Sequence, residues 1–111
     1  MEQRRYQRVR CEMEGELAQG SATVRDISEG GVSFRSYRFL PVHQRLPLRF
    51  RLPNAALIET VTEPAWIREI PRLNCYEVGA RFVDLPADYK DLLKNFISFS
   101  SKTIDTPKQF G

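Results

Sequence analysis

An all-β domain, an antiparallel barrel of about six strands with one C-terminal helix, is the fold this sequence predicts. Short runs of alternating polarity recur along the chain, separated by Gly, Pro and Asn turn signals. Only one stretch, the last, carries apolar residues at helical spacing. Closure into a barrel is the usual way for so many short strands to avoid exposed edges. At 111 residues with 41% hydrophobic content, the chain is long enough for one domain with a modest core, and too apolar to be disordered.

Residues 1–8 are polar and basic and form an arm. In 9–17, Val9, Cys11, Met13 and Leu17 alternate against Arg10, Glu12, Glu14 and Glu16, the pattern of a half-buried strand whose carboxylates are its solvated side. Gln19-Gly20 marks a turn, and Ala22–Ile27 and Val32–Ser36 are the next two strands. Leu46, Leu48, Phe50 and Leu52 alternate against Arg45, Pro47, Arg49 and Arg51; Pro47 has no N–H for a ladder and predicts an edge or a bulge. Pro53-Asn54 breaks the chain before a β-rich stretch over 56–70, interrupted by Pro64. After Asn74, residues Tyr76, Val78, Ala80 and Phe82 return to period two. Pro86 suits a helix start, and Tyr89, Leu92, Leu93, Phe96 and Ile97 follow on one helical face that packs on the sheet or plugs it. From about Ser100 the composition predicts a frayed tail, so the domain proper spans 9–99.

The net charge is only +3, but 13 of the 17 basic residues are Arg. Arg is always charged and its planar fork suits phosphate and the guanine edge, so this choice points to recognition as much as to a solvated basic surface. Cys11 and Cys75 are too few for a disulfide scaffold or a metal site; two buried thiols in a reducing, cytoplasmic setting fit best. No signal peptide or membrane-spanning run is present in this sequence. Catalysis finds no support. His43 is the only histidine and lies in a loop near Pro41, there is no metal spacing, no G-x-S-x-G and no P-loop. The chain reads as a non-enzyme with no cofactor.

The chemistry concentrates in two motifs. Asp26-x-Ser28-x-x-Gly31 places a carboxylate, a hydroxyl and paired glycines between two strands. Taken alone it serves equally as hairpin-turn chemistry, and three such positions recur by chance in roughly one chain of this size in thirty, so setting must decide. Upstream stands Arg4-x-x-x-Arg8, a weak motif in an Arg-rich chain that repeats it at Arg45/Arg49 and Arg68/Arg72. An arm carrying Arg4, Arg5 and Arg8 can fold over a barrel face that presents Asp26, Ser28 and Gly31. Its forks suit phosphate oxygens or guanine O6 and N7, while Asp26 can accept from the N1–H and N2–H₂ edge. Trp66, with Arg68 on its strand face, is either a stacking platform or a core or rim aromatic.

This arrangement resembles the PilZ domain family, bacterial receptor modules for cyclic di-GMP. Beyond the two motifs in order, Ala65-Trp66-Ile67-Arg68 is similar to the family's late strand. Tyr76–Phe82 resembles its closing strand, and the helix after Pro86 its C-terminal helix, so the likeness covers about residues 4–98. It implies a six-stranded antiparallel PilZ-type barrel with ligand held between arm and barrel exterior. On that likeness Arg4 and Arg8 grip guanine and phosphate, Arg5 adds a phosphate contact, Asp26 and Ser28 bond the base or phosphate edge, and Gly31 keeps the turn open. Trp66 stacks beside Arg68. The arm becomes ordered on binding, and a protein effector, separate or covalently linked, reads the change. Members that bind a stacked ligand pair carry a further Arg before the R-x-x-x-R, where this sequence has Gln3, so one or two ligands both remain open. Two other readings stand beside this one: a PilZ-like protein adaptor without nucleotide, and a small basic barrel for single-stranded nucleic acid. Intact motif residues speak against the first. The modest charge and the lack of interleaved aromatics speak against the second, so no nucleic acid partner is expected.

Overall fold

The computed structural model describes residues 8–18 and 20–108. Its strands are β1 (Val9–Leu17), β2 (Gly20–Ile27), β3 (Gly31–Ser36), β4 (Leu46–Arg51), β5 (Leu57–Ile70) and β6 (Cys75–Val83), followed by one helix, α1 (Ala87–Lys108). All pairings are antiparallel, and the order β1-β2-β3-β6-β5-β4 closes on itself as β4 pairs back to β1. The predicted six-stranded barrel is therefore the fold, and closure leaves no free sheet edge.

Alternation explains the core. Val24 and Ile27 of β2, Val32 and Phe34 of β3, Leu48 of β4, Ile58 of β5 and Val78 of β6 are all fully buried inside the barrel. Each such side chain contributes about 1.5–3 kcal/mol relative to exposure. Leu93 and Ile97 of α1 join this core, with Tyr89, Leu92 and Phe96 packed around them, so the helix seals the barrel as its apolar face predicts. Pro86 opens the helix, its carbonyl accepting from the Lys90 N–H at 3.0 Å. The helix then runs past Ser100, where the sequence predicts a tail. The reason is local: residues 101–106 contain neither Gly nor Pro to interrupt its hydrogen bonding.

Two prolines behave as strand chemistry requires. Pro47 pairs with Val61 of β5, but β1 reaches β4 only at Leu48–Phe50, so the missing N–H falls where no second neighbour needs it. Pro64 does not end β5; a register shift between Pro64 and Trp66 accommodates it within one continuous strand. No described helix is long and apolar enough to cross a membrane.

Candidate functional site

Two β-bulges set the site. Val24 faces the core opposite Phe34, and strict alternation would turn Asp26 inward as well. One extra residue, Arg25, enters β2 between them, so Asp26 pairs with Ser33 on the outer face instead. β5 repeats the device. Thr62 is buried opposite Phe82 and Pro64 opposite Ala80; the extra Ala65 then rotates Trp66 outward, opposite Gly79. Register brings Asp26, Ser33, Gly79 and Trp66 into one row across β2, β3, β6 and β5. Three strand spacings of about 4.8 Å make that row roughly 14 Å long.

At one end of the row Arg8 enters. Its Nη1 pairs with Asp26 Oδ1, while Ser33 Oγ donates to Asp26 Oδ2 at 2.8 Å. One oxygen of the carboxylate is thus held by the arm and the other by the barrel, and each keeps a lone pair for a further donor. Cys11 is near enough to feel the Asp26 charge, and its thiol donates to the Val24 carbonyl at 3.9 Å. Burial pushes its thiol up to about 11, the Asp26 charge adds to the rise, and Arg25 opposes it.

Ser28 and Gly31 do different work from Asp26. The Ser28 side chain is buried, and its Oγ accepts from the Gly30 and Gly31 N–H groups, both at 3.2 Å, while its own N–H donates to the Gly31 carbonyl at 2.9 Å. Its hydroxyl ties the β2–β3 hairpin. Neither Gly30 nor Gly31 has a positive φ, so the turn itself does not demand them. A Cβ on Gly31 would instead run into the Ala80 carbonyl oxygen of β6. Gly31→Ala is expected to part β3 from β6 and lower stability by about 1–3 kcal/mol, measurable by urea unfolding.

At the other end, the Trp66 indole lies flat over Gly79, where any Cβ would occupy the ring's place. Trp66 is 46% exposed, an open platform. Gly79→Ala is expected to tilt the indole away and shift its emission to the red at a cost below about 1 kcal/mol, because the ring can move into solvent. Trp66 is the single tryptophan, so the signal is unambiguous. One row further along, Arg68 pairs with Glu77 at 2.6 Å. On the opposite side of the Asp26 row, Glu63 collects Arg81 at 2.9 Å, Arg45 at 3.4 Å and the exposed His43 at 3.7 Å. Among the described residues no group of His, Cys, Asp or Glu could hold a metal ion.

The sequence matches the family model of the PilZ domain over residues 2–99. The chain belongs to the PilZ domain family. Solved structures agree on the fold. The Bacillus subtilis inhibitor of motility (MotI/DgrA) superposes with a TM-score of 0.83 at 17% identity, over 93% of this chain and 53% of that one. YcgR from Escherichia coli in complex with c-di-GMP gives 0.78 at 16% identity, over 100% of this chain and 52% of that one. The isolated PilZ domain of YcgR with c-di-GMP gives 0.74 at 15%, over 97% and 98%. This chain therefore spans about half the length of the first two and nearly the whole of the third. No curated protein sequence matches it significantly.

In this PilZ domain the structure brings together Arg8 and Asp26, and puts Trp66 on the same outer face. Arg68 is on that face too, held by Glu77. Arg4 and Arg5 lie outside the described residues. Sequence reasoning missed Ser33 and Gly79. Ser33 stands two residues beyond Gly31 and is hidden in an ordinary alternating strand. Only the Gly in Val78-Gly79-Ala80, odd in a strand interior, signals that something lies close above it.

Proposed function

We propose that this PilZ domain is a cyclic di-GMP receptor that binds its ligand on the outer barrel face between Arg8 and Trp66. One observation carries the reading: Arg8 of the R-x-x-x-R and Asp26 of the D-x-S-x-x-G, 18 residues apart in sequence, meet there. Asp26 accepts from the guanine N1–H and N2–H₂ edge, with Ser33 holding its other oxygen. Arg8, joined by Arg4 and Arg5, turns its fork to guanine O6 and N7 or to phosphate. Trp66 offers a face on which a base stacks, with Arg68 at its side. Ser28 and Gly31 serve by fixing the hairpin that aims Asp26.

The domain does no chemistry on the ligand; it transmits occupancy. Closing the arm over the ligand orders residues 1–8 and changes the surface that a separate or linked effector meets. A nucleic-acid track is less well served by this face, since Arg8, Arg68 and Arg81 each sit on a carboxylate. Calorimetry with cyclic di-GMP tests the proposal. Wild type is expected to bind saturably and Arg8→Ala about tenfold more weakly, the loss of one charge-assisted contact. Absence of binding by wild type sinks it.

A further inference from the structure

The outer face continues from Ser33 toward the far end of β3 into a cavity of about 220 Å³ that the cyclic di-GMP reading leaves unused. Arg25, Arg35, Thr23, Tyr37, Cys75 and Glu12 are among the residues that line it. Arg35 follows Ser33 by two residues on β3, which puts it on the same face about 7 Å farther along. Its register neighbours are Thr23 on β2 and Glu77 on β6. Glu77, the carboxylate best placed to neutralise it, is instead engaged by Arg68 at 2.6 Å.

The decisive atom is Arg35 Nε. It is buried and has no hydrogen-bond acceptor among the described residues. Arg35 as a whole is half-buried, but its Nε is shut off from solvent, and a shielded donor on a permanently charged guanidinium is costly to leave without an acceptor. Something with oxygen acceptors belongs there. Arg25 supplies a second guanidinium to the same cavity. Its Nη1 is 3.6 Å from Glu12 Oε1, beyond hydrogen-bond length, and the Glu12 side chain is 76% exposed and free to swing out. Thr23 and Tyr37 add hydroxyls. Two guanidinium forks with flanking hydroxyls match a tetrahedral oxyanion better than a single carboxylate.

We infer that the Arg25–Arg35 cavity is a seat for a phosphate oxyanion, separate from the Asp26 cluster. That oxyanion comes either from free phosphate or from a phosphodiester of a cyclic dinucleotide lying along the face from Asp26. Only the second source rests on the receptor reading above.

Two arms on the full chain test the inference. In the first, ¹H–¹⁵N spectra are followed while inorganic phosphate is added. Saturable shifts are expected at Thr23, Arg25, Arg35 and Tyr37, lost in Arg35→Gln and partly kept in Arg35→Lys, with the spectrum of each variant reporting that it is folded. In the second, cyclic di-GMP is titrated into Arg35→Gln by calorimetry. A loss of about tenfold assigns the oxyanion to the nucleotide. Unchanged affinity alongside localised phosphate shifts assigns it to free phosphate. Unchanged affinity with phosphate shifts that are absent, or spread evenly over the exposed arginines, overturns the inference. If wild type does not bind cyclic di-GMP, the receptor reading fails and the phosphate arm still decides this one.

Discussion

Asp26→Ala is expected to weaken cyclic di-GMP binding by about two orders of magnitude while the barrel stays folded. The carboxylate joins arm and barrel, and in the proposed complex it also holds the base. Without it the guanine edge loses two charge-assisted acceptors, each worth about 1.5 kcal/mol or more, and Arg8 loses its anchor. Stability falls far less, because Asp26 sits on the outer face. The cost there is the buried Ser33 hydroxyl left without its acceptor, about 1 kcal/mol. Asp26→Asn separates the two effects. Its amide oxygen can still accept from Ser33, so the unfolding midpoint should return toward wild type while binding remains poor. In Arg8→Ala/Asp26→Ala the losses should fall short of additive, since the two side chains touch. Additive losses would mean that the pair does not act as a unit.

Phe34→Ala carries the largest expected cost to the fold, about 3–5 kcal/mol, out of a total that for such domains is about 5–15 kcal/mol. Phe34 is fully buried opposite Val24 and Val78, at the centre of the barrel. It also stands between Ser33 and Arg35, so the strand that presents both to the outer face is held in place by its ring. Urea unfolding should show a lower midpoint with an unchanged slope. A loss below about 1 kcal/mol would contradict the core assignment, and a shallower slope would mean that the compactness of the native or unfolded state has changed.

The strands were legible because period two survives in them. Val32–Ser36, Leu46–Arg51 and the Val78–Phe82 segment bury the residues that alternation selects. Val9–Leu17 does so except at Cys11, which lies in the register shift between Arg10 and Met13. Cys11 is only half-buried, where the sequence predicts two buried thiols. Helix α1 was legible from its apolar face, though not its length, since weak helix formers continued the helix where composition predicted an end. The candidate site could be named from the sequence as a list of residues but not as a surface. Simple parity puts Asp26 on the face of Val24, and Trp66 on the face of Thr62 and Pro64, both of which are core positions. Only the bulges at Arg25 and Ala65 turn them outward, and a bulge is a property of pairing with a neighbour rather than of local sequence. For the same reason Ser33 could not be recognised. Its importance comes from lying opposite Asp26, a register that the hairpin turn sets.

Ser28 and Gly31 show the converse. Each is a motif residue whose work is structural, one tying the hairpin and the other letting β3 approach β6. The turn chemistry of D-x-S-x-x-G is thus carried by Ser28 and Gly31, which leaves Asp26 as the motif residue assigned to recognition in the proposal above. The bulge at Arg25 turns Asp26 outward, and Ser28 and Gly31 build the turn and the packing beside it.

The most direct test of the ligand face is the emission of Trp66 during titration with cyclic di-GMP. As the only tryptophan, placed in the same row as Asp26, it reports on that face alone. A base stacked on the indole should change its intensity saturably, with the same midpoint that calorimetry gives, and Asp26→Ala should move that midpoint by about a hundredfold. Emission that stays constant while calorimetry records binding would place the ligand elsewhere and contradict the account.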